Sequence, residues 1–198
     1  MDTTSQLFVV VCFIHVFHRR LARFHVALER IRDAVRLDIG CGVGWTERMH
    51  DSVTLTIDAD VADVWALVSD VTRIGEFSPE TFEAEWLDGA TGPEVGARFR
   101  GHVNRNDSGM KYWTQCLVNE CIENEVFGFA VQAGGKTVNN WKYELRAVGS
   151  STEVTESFRL EPTLANKIYW SGAGRWRGET NRRGMRETLE AMRAVLER

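Results

Sequence analysis

Residues 36–45 read RLDIGCGVGW, and the reading of that stretch decides the fold. A run closing on Gly40, Gly42 and Gly44 has the form of a glycine-rich turn between a strand and a helix, where backbone can approach a nucleotide. Asp58 lies 18 residues beyond Gly40, close to the roughly 20 expected of an acid that holds a ribose. Two features break that reading. Only residues 45–52 separate the turn from the next extended run, whereas a parallel crossover needs about a dozen or more. Further along, the chain alternates strands with hairpin turns, while a doubly wound sheet needs alternating helices and strands.

Working outward, SVTLTIDA at 52–59 alternates, with Val53, Leu55 and Ile57 on one face of a half-buried strand. Asp58 is then the turn after that strand. Asp60 is read as the N-cap of a short helix, with Asp63 as its acidic partner three residues on and Trp65, Leu67 and Val68 as its apolar residues. A second helical turn follows Asp70. Strands are expected near 82–87, 97–105, 110–122, 126–132, 138–147 and 153–160. The segments DGATGPEVG, NDSG, ENE, AGGK and VGSS between them have the Gly, Asn, Asp and Ser content of hairpin turns. Pro162 closes the strand region. Met185, Leu189, Met192 and Leu196 recur at helical spacing, so a long helix is expected over 175–198. Gly172 and Gly174 are expected to divide it from a shorter one around Leu164, Ile168 and Tyr169.

Composition narrows the functional classes. The chain has 198 residues, 43% of them apolar, and a formal charge of −4, enough for one core and without the basic balance that tracks nucleic acid. Cys12, Cys41, Cys116 and Cys121 show no zinc spacing, so no metal and no other cofactor is expected, in a reduced, cytoplasmic chain. LFVVVCFIHVF at 7–17 is too short to cross a bilayer, which takes about 20 apolar residues, and it lacks the layout of a secretory signal. No stable membrane insertion is expected, and a monomer or homodimer is. Residues 1–48 are read as an N-terminal extension outside the folded domain of 49–198.

Two resemblances follow. RLDIGCGVGW is similar to the first motif of S-adenosylmethionine-dependent methyltransferases, but fails on its context, and binding of that cofactor is not expected. The remainder resembles the START/polyketide-cyclase superfamily (SRPBCC, or Bet v 1-like), in its polyketide cyclase/dehydrase branch. The likeness is carried by IDADVADVWALVSDVTRIGEFSPE at 57–80, WLDGATGPEVGARFRGHVNRN at 86–106, WKYELRAVGSSTEVTESF at 141–158 and the terminal NRRGMRETLEAMRAVLE. The resemblance implies an α+β helix-grip fold, with a seven-stranded curved antiparallel sheet around a long C-terminal helix and an elongated apolar cavity between them. The implied function is binding of a hydrophobic, polyketide-like or lipid-like small molecule, either with cyclase/dehydratase activity or as a non-catalytic carrier. The implied partner is that ligand.

Alternation assigns candidate lining. If Phe99 faces inward, so does Val103; Trp113 goes with Leu117, Phe127 with Phe129, and Trp141 with Tyr143 and Leu145. Trp65, Phe77, Phe99, Asn104, Trp113, Gln115, Phe127, Phe129 and Trp141 are therefore the expected ligand contacts, although each ring could equally fill a solid core. Asn104 is included because the family keeps an Asn-Arg pair at this place. Arg105, Tyr143 and Glu156 are the candidate catalytic residues. A carboxylate among apolar side chains has a raised pKa and suits general acid–base work, and a guanidinium can stabilise an enolate. Arg105 and Glu156 could instead reach water at the ends of their strands. His102 alternates away from Phe99 and is expected to face outward.

Overall fold

The computed structural model describes residues 50–104 and 111–198, the side chains of 164–178 excepted. The expectations for residues 1–48, the glycine loop among them, and for Arg105 lie outside the described residues. β1 (His50–Ile57) is followed by α1 (Val61–Ser69) and a 3₁₀ helix (Val71–Glu76). β2 (Thr81–Trp86), β3 (Arg98–Asn104), β4 (Lys111–Ile122), β5 (Val126–Ala133), β6 (Lys136–Val148) and β7 (Ser151–Leu160) come next. α2 (Leu164–Leu196) ends the chain.

The strands form one seven-stranded sheet in the order β1-β7-β6-β5-β4-β3-β2, every pair antiparallel. Strands β2 to β7 are a meander, each hairpin pairing sequence neighbours, and β1 closes the order beside β7. Turn chemistry makes this possible. Gly134 and Gly135, the two residues between β5 and β6, have φ of +59° and +74°, as a two-residue hairpin of primed type requires. Register shifts at Thr81/Glu83, Val118/Glu120 and Val131/Gln132 mark irregularities in the ladder, and such bulges bend and twist a sheet. The expected α+β helix-grip architecture is the one observed, with α2 laid against β1, β7 and α1.

Two local expectations are corrected. Asp60 is the N-cap of α1, but its side chain makes no capping bond. Its carbonyl instead accepts from the N–H groups of Asp63 and Val64 at 3.0 and 3.1 Å, so Asp63 has no capping box to complete. The side-chain cap falls one element later, where Asp70 accepts from the Thr72 N–H at 3.0 Å. Secondly, Gly172 and Gly174 do not break the terminal helix, which is continuous over 33 residues. A glycine costs a helix about 1 kcal/mol relative to alanine, which weakens a turn without ending it; an end needs backbone that leaves the helical region.

Between sheet and helix the packing is uneven. At one end Ile57, Val64, Leu67, Phe127, Val154, Leu189 and Met192 are sealed from solvent in a continuous apolar cluster. At the other end, on β4 to β6, Thr114, Val131, Asn139 and Trp141 share the inward phase yet are only half-buried. The inner face thus has a closed end and an open end. Among the described residues no helix is long and apolar enough to cross a membrane.

Candidate functional site

The centre of the inner face holds a carboxyl among rings. Antiparallel register sets Tyr143 of β6 opposite both Phe127 of β5 and Glu156 of β7, and Trp141 opposite Phe129 and Phe158. A period of two puts all of these on the face toward α2. Glu156 is 3% exposed, so it does not reach water. The Tyr143 hydroxyl donates to Glu156 Oε1 at 3.0 Å, while Glu156 Oε2 is buried with no hydrogen-bond partner. Burial pushes the Glu156 carboxyl up to about 8, although the bond from Tyr143 acts the other way. The same burial, with Glu156 beside it, raises the Tyr143 hydroxyl well above its ordinary range. Near neutral pH both groups are uncharged, and the carboxyl proton is available at the one oxygen Tyr143 leaves free.

Two further polar atoms on these facing surfaces are buried and unpaired among the described residues. Asn139 Oδ1 lies on β6 in phase with Trp141 and Tyr143, and Asn181 Nδ2 lies on α2, one turn before the buried Met185. Met185 packs with Phe158 and Leu160, and Val53, Val138 and Trp141 lie against that group. Neither asparagine was picked out from sequence, though the signal was there. Asn139 alternates with two aromatics already assigned inward, and Asn181 precedes Met185 by four.

The remaining candidates divide by depth and side. Phe77, Phe99 and Phe127 are buried in the apolar cluster, and Trp65 packs edge-on to Phe127 with ring centroids 6.4 Å apart. Phe129 is nearly covered and meets Phe99 edge-on, while half-buried Trp141 tilts against Phe158 at 4.8 Å. Trp113 and Gln115 are corrections. Pairing of Phe99 with Cys116 turns Tyr112, Thr114, Cys116 and Val118 inward, and therefore Trp113, Gln115 and Leu117 outward. Trp113 is 38% exposed, stacked on His102 at 4.4 Å, with the Arg100 guanidinium over its ring at 4.3 Å from the centroid. Gln115 accepts from Arg98. Asn104 has the outer-face phase of Arg100 and His102, with its Oδ1 buried and unpaired. His102 faces outward as expected and meets Glu83 at 3.2 Å.

Other chemistry is limited. Burial raises the Cys116 thiol to about 12, so it supplies no thiolate nucleophile near neutrality. Among the described residues no group of three or more His, Cys, Asp or Glu side chains could hold a metal.

Comparison with known proteins agrees with the fold. Residues 57–182 match the family described as polyketide cyclase/dehydrase and lipid transport. A Polyketide_cyc-like protein of Corynebacterium glutamicum, solved by NMR, is 30% identical over 75% of this chain and 91% of its own, with a TM-score of 0.52. An NMR structure of a protein from Arthrobacter aurescens is 20% identical, covering 77% of this chain and 88% of that one, with a TM-score of 0.57. The di-domain ARO/CYC StfQ of the steffimycin biosynthetic pathway is 16% identical over 75% of this chain and 44% of its own, with a TM-score of 0.55. The last two likenesses concern the fold. Among curated proteins none matches the chain.

Proposed function

The chain belongs to the polyketide cyclase/dehydrase and lipid transport family, and from that premise we propose that it binds a hydrophobic small molecule between the sheet and α2. The observation that carries the reading is the uncharged Glu156–Tyr143 pair, set among Phe129, Trp141 and Phe158 with one carboxyl oxygen unpaired. An apolar pocket with a few convergent polar groups is the usual form of a small-molecule site. Ligand enters from the open end, where inward residues remain half-buried, and rests on Trp141 and Phe129. The closed end supplies the rigid floor.

Native mass spectrometry of protein purified from its own host tests this directly: a co-purified apolar molecule is the expected result. Failure to find one, together with failure of a fluorescent fatty-acid or polyketide-like probe to bind, removes the reading.

One observation favours a catalytic version over simple carriage. A carboxyl whose pKa is about 8 can both give and take a proton near neutral pH, which is what general acid–base catalysis of cyclisation or dehydration requires. On that version Glu156→Gln and Tyr143→Phe abolish most turnover and leave ligand affinity nearly unchanged. Arg105, outside the described residues, is proposed as the group that stabilises an enolate, with Arg105→Ala as its test. A carrier shows no turnover to lose, and there Trp141→Ala is the damaging change.

A further inference from the structure

Burying a polar atom with no partner costs on the order of 1–3 kcal/mol, and native interiors rarely leave such atoms unmatched. Three lie on the surfaces that face each other across this interior: Glu156 Oε2, Asn139 Oδ1 and Asn181 Nδ2. Glu156 and Asn181 are 3% and 5% exposed, so bulk water does not satisfy them. Their placement has a length. Tyr143, opposite Glu156, and Asn139 are four residues apart on β6, roughly 13 Å at about 3.3 Å per residue. Trp141 lies midway between them on the same face, tilted against Phe158. Asn181 is buried on α2 one helical turn ahead of Met185, which packs on Phe158 beside this strip. The chemistry is mixed: a carboxyl at the deep end, an amide oxygen toward the open end and an amide N–H₂ from the helix.

We infer that Asn139, Asn181 and Glu156 form one recognition set, which selects an elongated apolar molecule carrying separated oxygen functions over an unsubstituted hydrocarbon skeleton. This rests on the ligand-binding reading above and adds its specificity. Trp141 supplies the contact with the ligand's flat or apolar middle. Asn139 accepts from a ligand hydroxyl near the open end. Asn181 donates to a carbonyl or hydroxyl oxygen from the helix side, and Glu156 meets a carbonyl or hydroxyl at the deep end. A ligand without these groups leaves all three atoms unpaired, which is the energetic basis of discrimination.

Displacement of bound 1-anilinonaphthalene-8-sulfonate from the full chain measures this, with anthracene and 2,6-dihydroxyanthraquinone as competitors that share a three-ring skeleton. The oxygenated probe is expected to bind at least tenfold tighter. Asn139→Leu and Asn181→Leu are each expected to weaken it about tenfold while leaving anthracene within twofold, because each removes a polar partner and adds none. Far-UV circular dichroism checks that each variant folds, and Asn139→Ala, at a half-buried position, serves where Leu does not fit. If the two probes bind alike, or if the asparagine variants weaken both equally, the recognition set is wrong and ligand binding stands. If the reporter and both competitors fail to bind, the ligand-binding reading falls and takes this inference with it.

Discussion

The two ends of the inner face are built from the same strands and differ in what they leave unfinished. At the closed end Ile57, Phe127, Val154, Leu189 and Met192 are apolar, fully buried and mutually packed. Toward the open end Thr114, Val131, Asn139 and Trp141 point the same way but stay half-exposed, and unpaired polar atoms appear. A core packed to native density stabilises the fold through every methylene it buries. An interior with unpaired polar atoms gives up stability and keeps binding capacity. On the proposed function, stability and recognition occupy opposite halves of one surface, with Glu156 at their boundary.

The largest effect expected from breaking that division is at the closed end. Phe127→Ala removes a ring that is 1% exposed, and should lower the unfolding free energy by about 3–5 kcal/mol, read by urea denaturation. Ligand affinity per folded molecule should change little, and a loss of affinity without loss of stability would blur the two halves.

Next comes the boundary. The fold favours protonated Glu156, whose carboxyl sits at about 8 against 4.5 for an exposed one. Its stabilising preference is therefore complete below about pH 4.5 and is lost as pH rises through about 8. Compared with Glu156→Gln, which stays neutral, the wild-type chain should lose on the order of a few kcal/mol of stability across that window. Parallel pH profiles for the two proteins would show that Glu156 is not held neutral.

At the open end Trp141→Ala should weaken an apolar ligand by about 2–3 kcal/mol, with a smaller effect on stability because the ring is only half-buried. A binding isotherm and a melt on the same sample distinguish the two. The smallest effect belongs to the outer face. Trp113→Ala should leave ligand affinity unchanged and cost about 1 kcal/mol or less of stability, since it loses only an exposed stack on His102 and a cation–π contact. Loss of binding there would mean the β4 register is wrong.

Trp113 also shows where sequence reading stops. Alternation in β4 defines two sets, Trp113, Gln115 and Leu117 against Tyr112, Thr114, Cys116 and Val118, and both contain apolar or aromatic members. Periodicity separates the sets without saying which is inside. The larger ring suggested one answer, and pairing of Phe99 with Cys116 imposed the other. In β6 and β7 the sets are unequal: Trp141, Tyr143 and Leu145 oppose Lys142 and Glu144, and Val154 and Phe158 flank Glu156. There the inward side is legible, and Tyr143 and Glu156 lie on it. Asn139 and Asn181 share the phase of inward neighbours, but phase alone does not show that an asparagine's polar atom is buried without a partner.

The sequence by itself determined the order of the strands, the hairpin turns and a helical C-terminus, because these depend on local backbone preference and on apolar spacing of two or three to four. It also excluded a doubly wound sheet, since the segment at 45–52 is too short for a crossover. Only the tertiary structure decided which face of β4 is inside, that Gly172 and Gly174 interrupt nothing, and which polar atoms lie opposite one another unpaired. Those depend on inter-strand register and on where α2 lies across the sheet. Both are set by contacts between residues distant along the chain, which no local pattern encodes.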